Sequence, residues 1–167
     1  MEIIKPCASF EASYYGYISE LGDQERYPFV MDLPHQPFAA LLRRLNEIEA
    51  GISLPNGAVA NQTYWLVKGE QLIGVSNLRP VLSEAIAHVG GHIGLGIRPS
   101  YRGQGLSKVL LNATLKQAKE QGMKSVSVHC HADNQPSNAM ISACGGRLDS
   151  VVQSGGMHIN RYHIELG

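Results

Sequence analysis

Apolar positions recur along this chain with two different periods. Phe10, Tyr14, Tyr17, Ile18 and Leu21 share one helical face, with Ser9 placed to cap the start and Gly22 the end. The pattern predicts a helix over Ser9–Leu21. A second stripe, Phe38, Leu41, Leu42, Leu45 and Ile48, predicts a helix over Pro37–Ala50, with Pro37 at its first position and Gly51 closing it. Residues 51–62 carry Pro55, Asn56 and Gly57 and read as a surface loop. Beyond them, strands follow. Thr63–Lys68 and Leu72–Leu78 flank the turn Gly69-Glu70-Gln71 and predict a hairpin. His88–Ile97 reads as a third strand, with glycine at 90, 91, 94 and 96. There follow a helix over Gly105–Gln121 stopped by Gly122, a strand over Ser125–Cys130 and a helix over Pro136–Ala143. Two strands, Arg147–Gln153 and Met157–Glu165, close the chain around Ser154-Gly155-Gly156. This order predicts an α+β (mixed α/β) fold in one domain, residues 1–167.

Composition narrows the function classes. An apolar fraction of 44% argues against a disordered chain, and 14 basic residues balance 14 acidic ones. A neutral balance carries no electrostatic footprint for nucleic acid or an anionic membrane, and no apolar run approaches the length of a spanning helix. The N-terminus shows no signal-peptide segment, and Cys7, Cys130 and Cys144 are odd in number without metal spacing. A reduced, cytoplasmic protein is expected. His129-Cys130-His131-Ala132-Asp133 puts two imidazoles on one strand face, but no second ligand group follows at zinc spacing, so no metal is expected.

Chemistry concentrates in Arg98-Pro99-Ser100-Tyr101-Arg102-Gly103-Gln104-Gly105-Leu106-Ser107, between a predicted strand and a predicted helix. The first turn of a helix exposes unpaired amides and the positive end of its dipole, which together bind phosphate. Gly103 and Gly105 clear Cβ atoms where an anion approaches the backbone, Arg102 brings a charge and Ser107 a hydroxyl. The alternative is a purely structural turn. Neither the dinucleotide fingerprint (position 108 is Lys) nor the phosphate-binding P-loop is complete.

These residues resemble the acetyl-CoA motif of the GNAT N-acetyltransferases, whose pattern Arg/Gln-x-x-Gly-x-Gly/Ala is met by Arg102, Gly105 and, with a departure, Ser107. Asn134, Ser137 and Asn138, followed by Gly145-Gly146, are similar to the family's second motif, whose Asn and small residue contact the pantetheine arm. The resemblance covers roughly Leu72–Leu166 and is weak in the N-terminal third. It implies a central mixed, mostly antiparallel twisted sheet flanked by helices and splayed at the cofactor cleft between His88–Ile97 and Ser125–Cys130. It implies acetyl-CoA as acyl donor, with pantetheine pairing along Leu95, Gly96 and Ile97, and diphosphate on the segment Arg102, Gly103, Gln104, Gly105, Leu106 and Ser107. Within the superfamily, Gly90-Gly91-His92-Ile93-Gly94 and Cys144-Gly145-Gly146 look like an uncharacterised bacterial branch.

The chemistry so implied is direct attack of a primary amine on the acetyl carbonyl, with backbone amides near Ile97 holding the oxyanion. His92 is the candidate general base, and His88, which two-residue periodicity puts on the same predicted strand face, a water-relay partner. The helix position that carries a tyrosine acid in many members holds Ile141, leaving Ser142, Tyr162 or water to protonate the thiolate. Cys144 reads as a small buried thiol, since direct transfer needs no covalent enzyme intermediate. Tyr14, Tyr15, Tyr17, Glu20, Asp23, Glu25 and Asp32 are candidates for holding the amine, and Arg79 for a substrate carboxylate. The acceptor is open: a small metabolite, an amine-bearing antibiotic or a protein. So is the acyl length. A CoA-binding sensor or interaction module without catalysis is the rival reading. The closing hairpin offers an edge for a homodimer.

Overall fold

Trp65 decides how the N-terminal third packs. In the computed structural model, which describes residues 1–167, the elements begin β1 (Glu2–Ile4), α1 (Glu11–Leu21), α2 (Phe38–Glu49), β2 (Gln62–Lys68) and β3 (Gln71–Leu78). They continue α3 (Glu84–His88), β4 (Ile93–Ile97), α4 (Leu106–Glu120), β5 (Ser125–His131), α5 (Gln135–Ala143), β6 (Arg147–Ser154) and β7 (Met157–Glu165). Tyr14 of α1 stacks on Trp65 of β2 with ring centroids 5.8 Å apart, and Phe38 of α2 leans on both. This aromatic core fixes α1 and α2 on one face of β2 and β3. Each such side chain, fully buried, contributes about 1.5–3 kcal/mol or more by leaving water.

Every ladder is antiparallel, and the strands divide into two sheets, β1-β2-β3-β4 and β5-β7-β6. The splay expected between the third and fourth motif strands is this division, where strand pairing is reduced to one isolated bridge at Gly91 and Val128. On the face opposite α1 and α2, Leu111 and Leu115 of α4 and Ile141 of α5 pack against both sheets at once, meeting Leu78 and Ile93 on one and Val126 and Ile164 on the other. Beyond that bridge, the helix layer holds together what strand pairing leaves apart. Inside it, Ser76 and Thr114 satisfy each other at 2.7 Å, and Thr114 donates to the Leu110 carbonyl.

Three local expectations need correction. The strand expected over His88–Ile97 begins only at Ile93; residues 84–88 form α3, with Ser83 capping it by accepting the Ile86 amide. Gly90 and Gly91, with φ of 130° and 73°, turn the chain between the two, so His88 and His92 share no strand face and the relay between them falls. Ser9 lies in a short 3₁₀ turn beside Cys7 and does not cap α1. β1 was not foreseen: three residues are too few for a period, and Ile3 and Ile4 are fixed by pairing with Leu66 and Trp65. No helix is long and apolar enough to cross a membrane.

Candidate active site

Between β4 and β5 lies a cleft of about 820 Å³. One wall is the free edge of β4. The amide of Arg98 donates to Ile73 and that of Arg79 to His92, at the two ends of the β3–β4 ladder. Antiparallel alternation between those ends turns the even-numbered backbone groups of β4 toward β3 and leaves the amides of Leu95 and Ile97 facing the cleft. The glycines between them have a separate cause. Tyr27 lies over this stretch: a Cβ on Gly94 would meet its hydroxyl at 2.8 Å, and one on Gly96 would meet its carbonyl oxygen. Close packing therefore accounts for Gly94 and Gly96.

The floor is the loop into α4. Arg98 donates to Glu20 and to Ser13 of α1, Glu20 also accepts the Ser100 amide at 2.8 Å, and Gly16 leaves room for the Arg98 guanidinium. Burial alone would raise the Glu20 pKa; hydrogen bonds from Ser100 and Arg98 outweigh it and hold the carboxyl below its ordinary value. The loop is thus bolted to α1 before its functional part begins. Arg102 is bolted too: it donates to the Ile97 carbonyl at 2.9 Å and to Gln24 at 2.8 Å, which commits two of its five donors. The amides that follow are different. Those of Gly103, Gln104 and Gly105 donate to no protein group, and a first helical turn leaves Leu106, Ser107 and Lys108 without intrahelical acceptors. Gly103 and Gly105, at φ of 78° and 74°, supply the left-handed backbone this turn into α4 requires. Arg102, Gly103, Gly105, Leu106 and Ser107 line the cleft; the Gln104 side chain does not.

Across the cleft stand β5 and the start of α5. Asn134 caps α5 by accepting the Ser137 amide at 3.2 Å, and both residues line the cleft. Asn138 does not. Its side chain donates to the His131, Ala132 and Asn134 carbonyls and accepts from Tyr162 at 2.5 Å and Asn160 at 2.8 Å. With every site occupied, it is a strut tying β5, α5 and β7, which corrects its assignment as a cofactor contact. Ile141 forms the inner wall and has no proton to give. Tyr162, held on Asn138, and exposed Ser142 lie off the cleft, so neither is placed as the acid. Cys130 faces the cleft with its thiol pushed up to about 11 by burial. No group of three His, Cys, Asp or Glu side chains that could hold a metal is gathered anywhere.

The acceptor side separates the remaining candidates. His92 does not line the cleft, and its Nδ1 accepts the Ser127 amide at 2.8 Å, leaving the ring's proton on Nε2. Burial and then the charge of Arg79 lower its pKa. A neutral imidazole so held has no free lone pair for a substrate proton, which removes the geometric basis for His92 as base. Arg79 is likewise engaged, donating to the Gly90 and Gly91 carbonyls and to Asn77, so it staples the loop before β4. Tyr14 is buried in the aromatic core, Tyr15 donates to His35, and Glu20 holds the loop. Tyr17 and Glu25 remain on the cleft, with Tyr27, whose phenol burial pushes above its ordinary pKa. Sequence reading passed over Tyr27 because its place depends on a loop folding over β4.

The family model described as acetyltransferase (GNAT) family matches residues 20–145, and the chain belongs to this family. No curated protein sequence matches the chain significantly. Among solved structures, a chimera of spermidine N-acetyltransferase SpeG from Vibrio cholerae and hSSAT aligns over 99% of this chain and 97% of its own, at 17% identity and a TM-score of 0.66. Ribosomal-protein-S5-alanine acetyltransferase from Vibrio fischeri aligns over 98% and 91%, at 13% identity and a TM-score of 0.71. The microcin C7 self-immunity acetyltransferase MccE, solved with acetyl-CoA and AMP, aligns over 98% and 91%, at 16% identity and a TM-score of 0.69. These likenesses extend the shared fold beyond the family match at both ends.

Proposed function

We propose that the protein is an acetyl-CoA-dependent N-acetyltransferase that passes the acetyl group to a primary amine by direct attack. The observation carrying this reading is the run of unpartnered amides from Gly103 to Lys108, lying at the foot of an open strand edge. That run fits a diphosphate, and the Leu95 and Ile97 amides fit the pantetheine amides and the thioester oxygen. Bound there, acetyl-CoA supplies an acyl carbon activated by a thiolate leaving group. The chain's residues do the rest. Gly103 to Ser107 hold the anion, β4 orients the arm, and the Ile97 amide faces the oxygen on which charge develops. Asn134, its oxygen engaged in capping, keeps an NH₂ for an arm carbonyl.

The amine enters past Glu25 and Tyr27, where a carboxylate meets an ammonium before it loses its proton to water at the mouth. As the new C–N bond forms and the C–S bond breaks, the nitrogen's surplus proton passes through water to the departing thiolate; a thiol pKa near 8.5 makes this leaving group undemanding. Glu25→Gln should raise KM for the amine about tenfold and leave acetyl-CoA affinity unchanged. The test of the whole is thiol release from acetyl-CoA over a panel of small amines and amine-bearing peptides, with Gly105→Glu as control. Turnover lost in that variant supports the reading; turnover indifferent to it overturns the reading. Ile141 in the usual acid position favours a second reading, a CoA sensor, which tight CoA binding with no turnover on any amine would establish.

A further inference from the structure

The vertex where the two sheets meet is held by two histidine side chains. The His92 amide donates to the Ser127 carbonyl at 2.8 Å, and the Ser127 amide returns a bond of 2.8 Å to His92 Nδ1. One step outward, the Gly90 amide donates to His129 Nδ1 at 2.9 Å, and His129 Nε2 meets Ser127 Oγ at 2.8 Å. Two imidazoles, one from each side of the gap, thus stand where a sheet would have carbonyl acceptors. Both must be neutral and carry the proton on Nε2 for these bonds to exist. Arg79 fixes the same loop from behind through the Gly90 and Gly91 carbonyls. Gly91 admits no side chain, because a Cβ there would lie 2.6 Å from the Ser127 carbonyl oxygen at a φ of 73°.

We propose that His92 and His129 are positioning residues: a pair of reciprocal imidazole clasps that set the angle at which β4 and β5 part. The reasoning is geometric. Beyond the vertex no ladder joins β4 to β5, so the placement of the Leu95 and Ile97 amides relative to β5 is controlled from this joint and from the helices beneath it. Ordinary strand pairing, continued past Val128, would close the cleft. An imidazole reaches farther from its backbone than a carbonyl does, and so carries the bonding outward from the His92–Ser127 backbone contact as the strands begin to part. The Gly90-Gly91-His92 segment, which no step of the transfer uses, thereby acquires a role. The effect on acetyl-CoA rests on the reading proposed above; the clasp itself does not.

Isosteric replacement tests this. The amide of Asn places an acceptor near the position of Nδ1, whereas that of Gln places it near Nε2. Amide exchange at Ser127 is therefore expected to stay within about threefold of wild type in His92→Asn and to quicken at least tenfold in His92→Gln. The same contrast is expected at Gly90 for His129→Asn and His129→Gln. Calorimetry should show acetyl-CoA affinity weakened in both Gln variants and restored in both Asn variants. Ring ¹⁵N spectra of wild type at pH 7 read the clasp without any substitution, and should show both imidazoles neutral and protonated on Nε2. A proton on Nδ1 in either ring, or Asn variants exchanging as fast as Gln variants, would overturn the proposal. Were His92 a base instead, Asn and Gln would abolish turnover alike. Intact clasps in a protein that fails to bind acetyl-CoA would support the joint while overturning the cleft reading.

Discussion

The two ends of the β4 edge treat their backbone amides in opposite ways. At the vertex, the amides of Gly90, His92 and Ser127 are each taken, two of them by imidazole nitrogens. At the foot of α4, the amides from Gly103 to Gly105 are taken by nothing in the protein, although the loop just before them is anchored through Arg98, Ser100 and Glu20. A half-buried joint pairs its donors, because each one shut away from water unpaired would cost about 1–3 kcal/mol. A solvent-facing turn that keeps six donors open behind an anchored loop is suited to an external anion. The contrast teaches where the molecule is closed to ligand and where it is built to receive one.

That comparison can be broken from either end. The largest effect is expected from Gly105→Glu, which strains a left-handed position and places a carboxylate among the open amides; acetyl-CoA affinity measured by calorimetry should fall at least ~100-fold, about 2.7 kcal/mol. At the vertex, Gly91→Ala should destabilise the fold by about 2 kcal/mol in urea unfolding, since the added carbon meets the Ser127 carbonyl at a left-handed φ. Glu20→Gln removes the charge that anchors Arg98 and the Ser100 amide, for an expected loss of about 1.5 kcal/mol and a severalfold weaker grip on CoA.

A pH effect is the mildest near neutrality. Burial, and then Arg161, Arg79, His92 and His88 facing the ring, push His129 down to about 4. Because the unfolded chain binds that proton more readily, the contribution is complete above about pH 6.5 and is lost as the pH falls through about 4. His92, also depressed, works in the same direction. Urea midpoints at pH 7 and pH 4 should differ less in a His129→Asn variant than in wild type.

The elements with their own periodicity were legible in the sequence. The stripes of α1 and α2, the Gly122 stop of α4 and the Gly103–Gly105 turn all carry local signals, and the structure places them within a few residues of expectation. What was illegible depends on partners distant along the chain. His88–Ile97 looked like one strand because its side chains permit it; the turn at Gly90 and Gly91 is imposed by Ser127 and Arg79. Asn138 carries the motif pattern, yet Tyr162 and Asn160 saturate its oxygen from β7. His92 has the right chemistry for a base until the register of β5 gives its Nδ1 an amide to accept.

Backbone amide spectra recorded while CoA is titrated into the full chain probe both ends of the β4 edge together. The resonances of Gly103, Gly105 and Ser107 should move far and saturate together, while those of Gly90 and Ser127 stay nearly still. Saturation with the α4 turn unmoved, or with the vertex amides shifting most, would place the anion elsewhere and contradict the account.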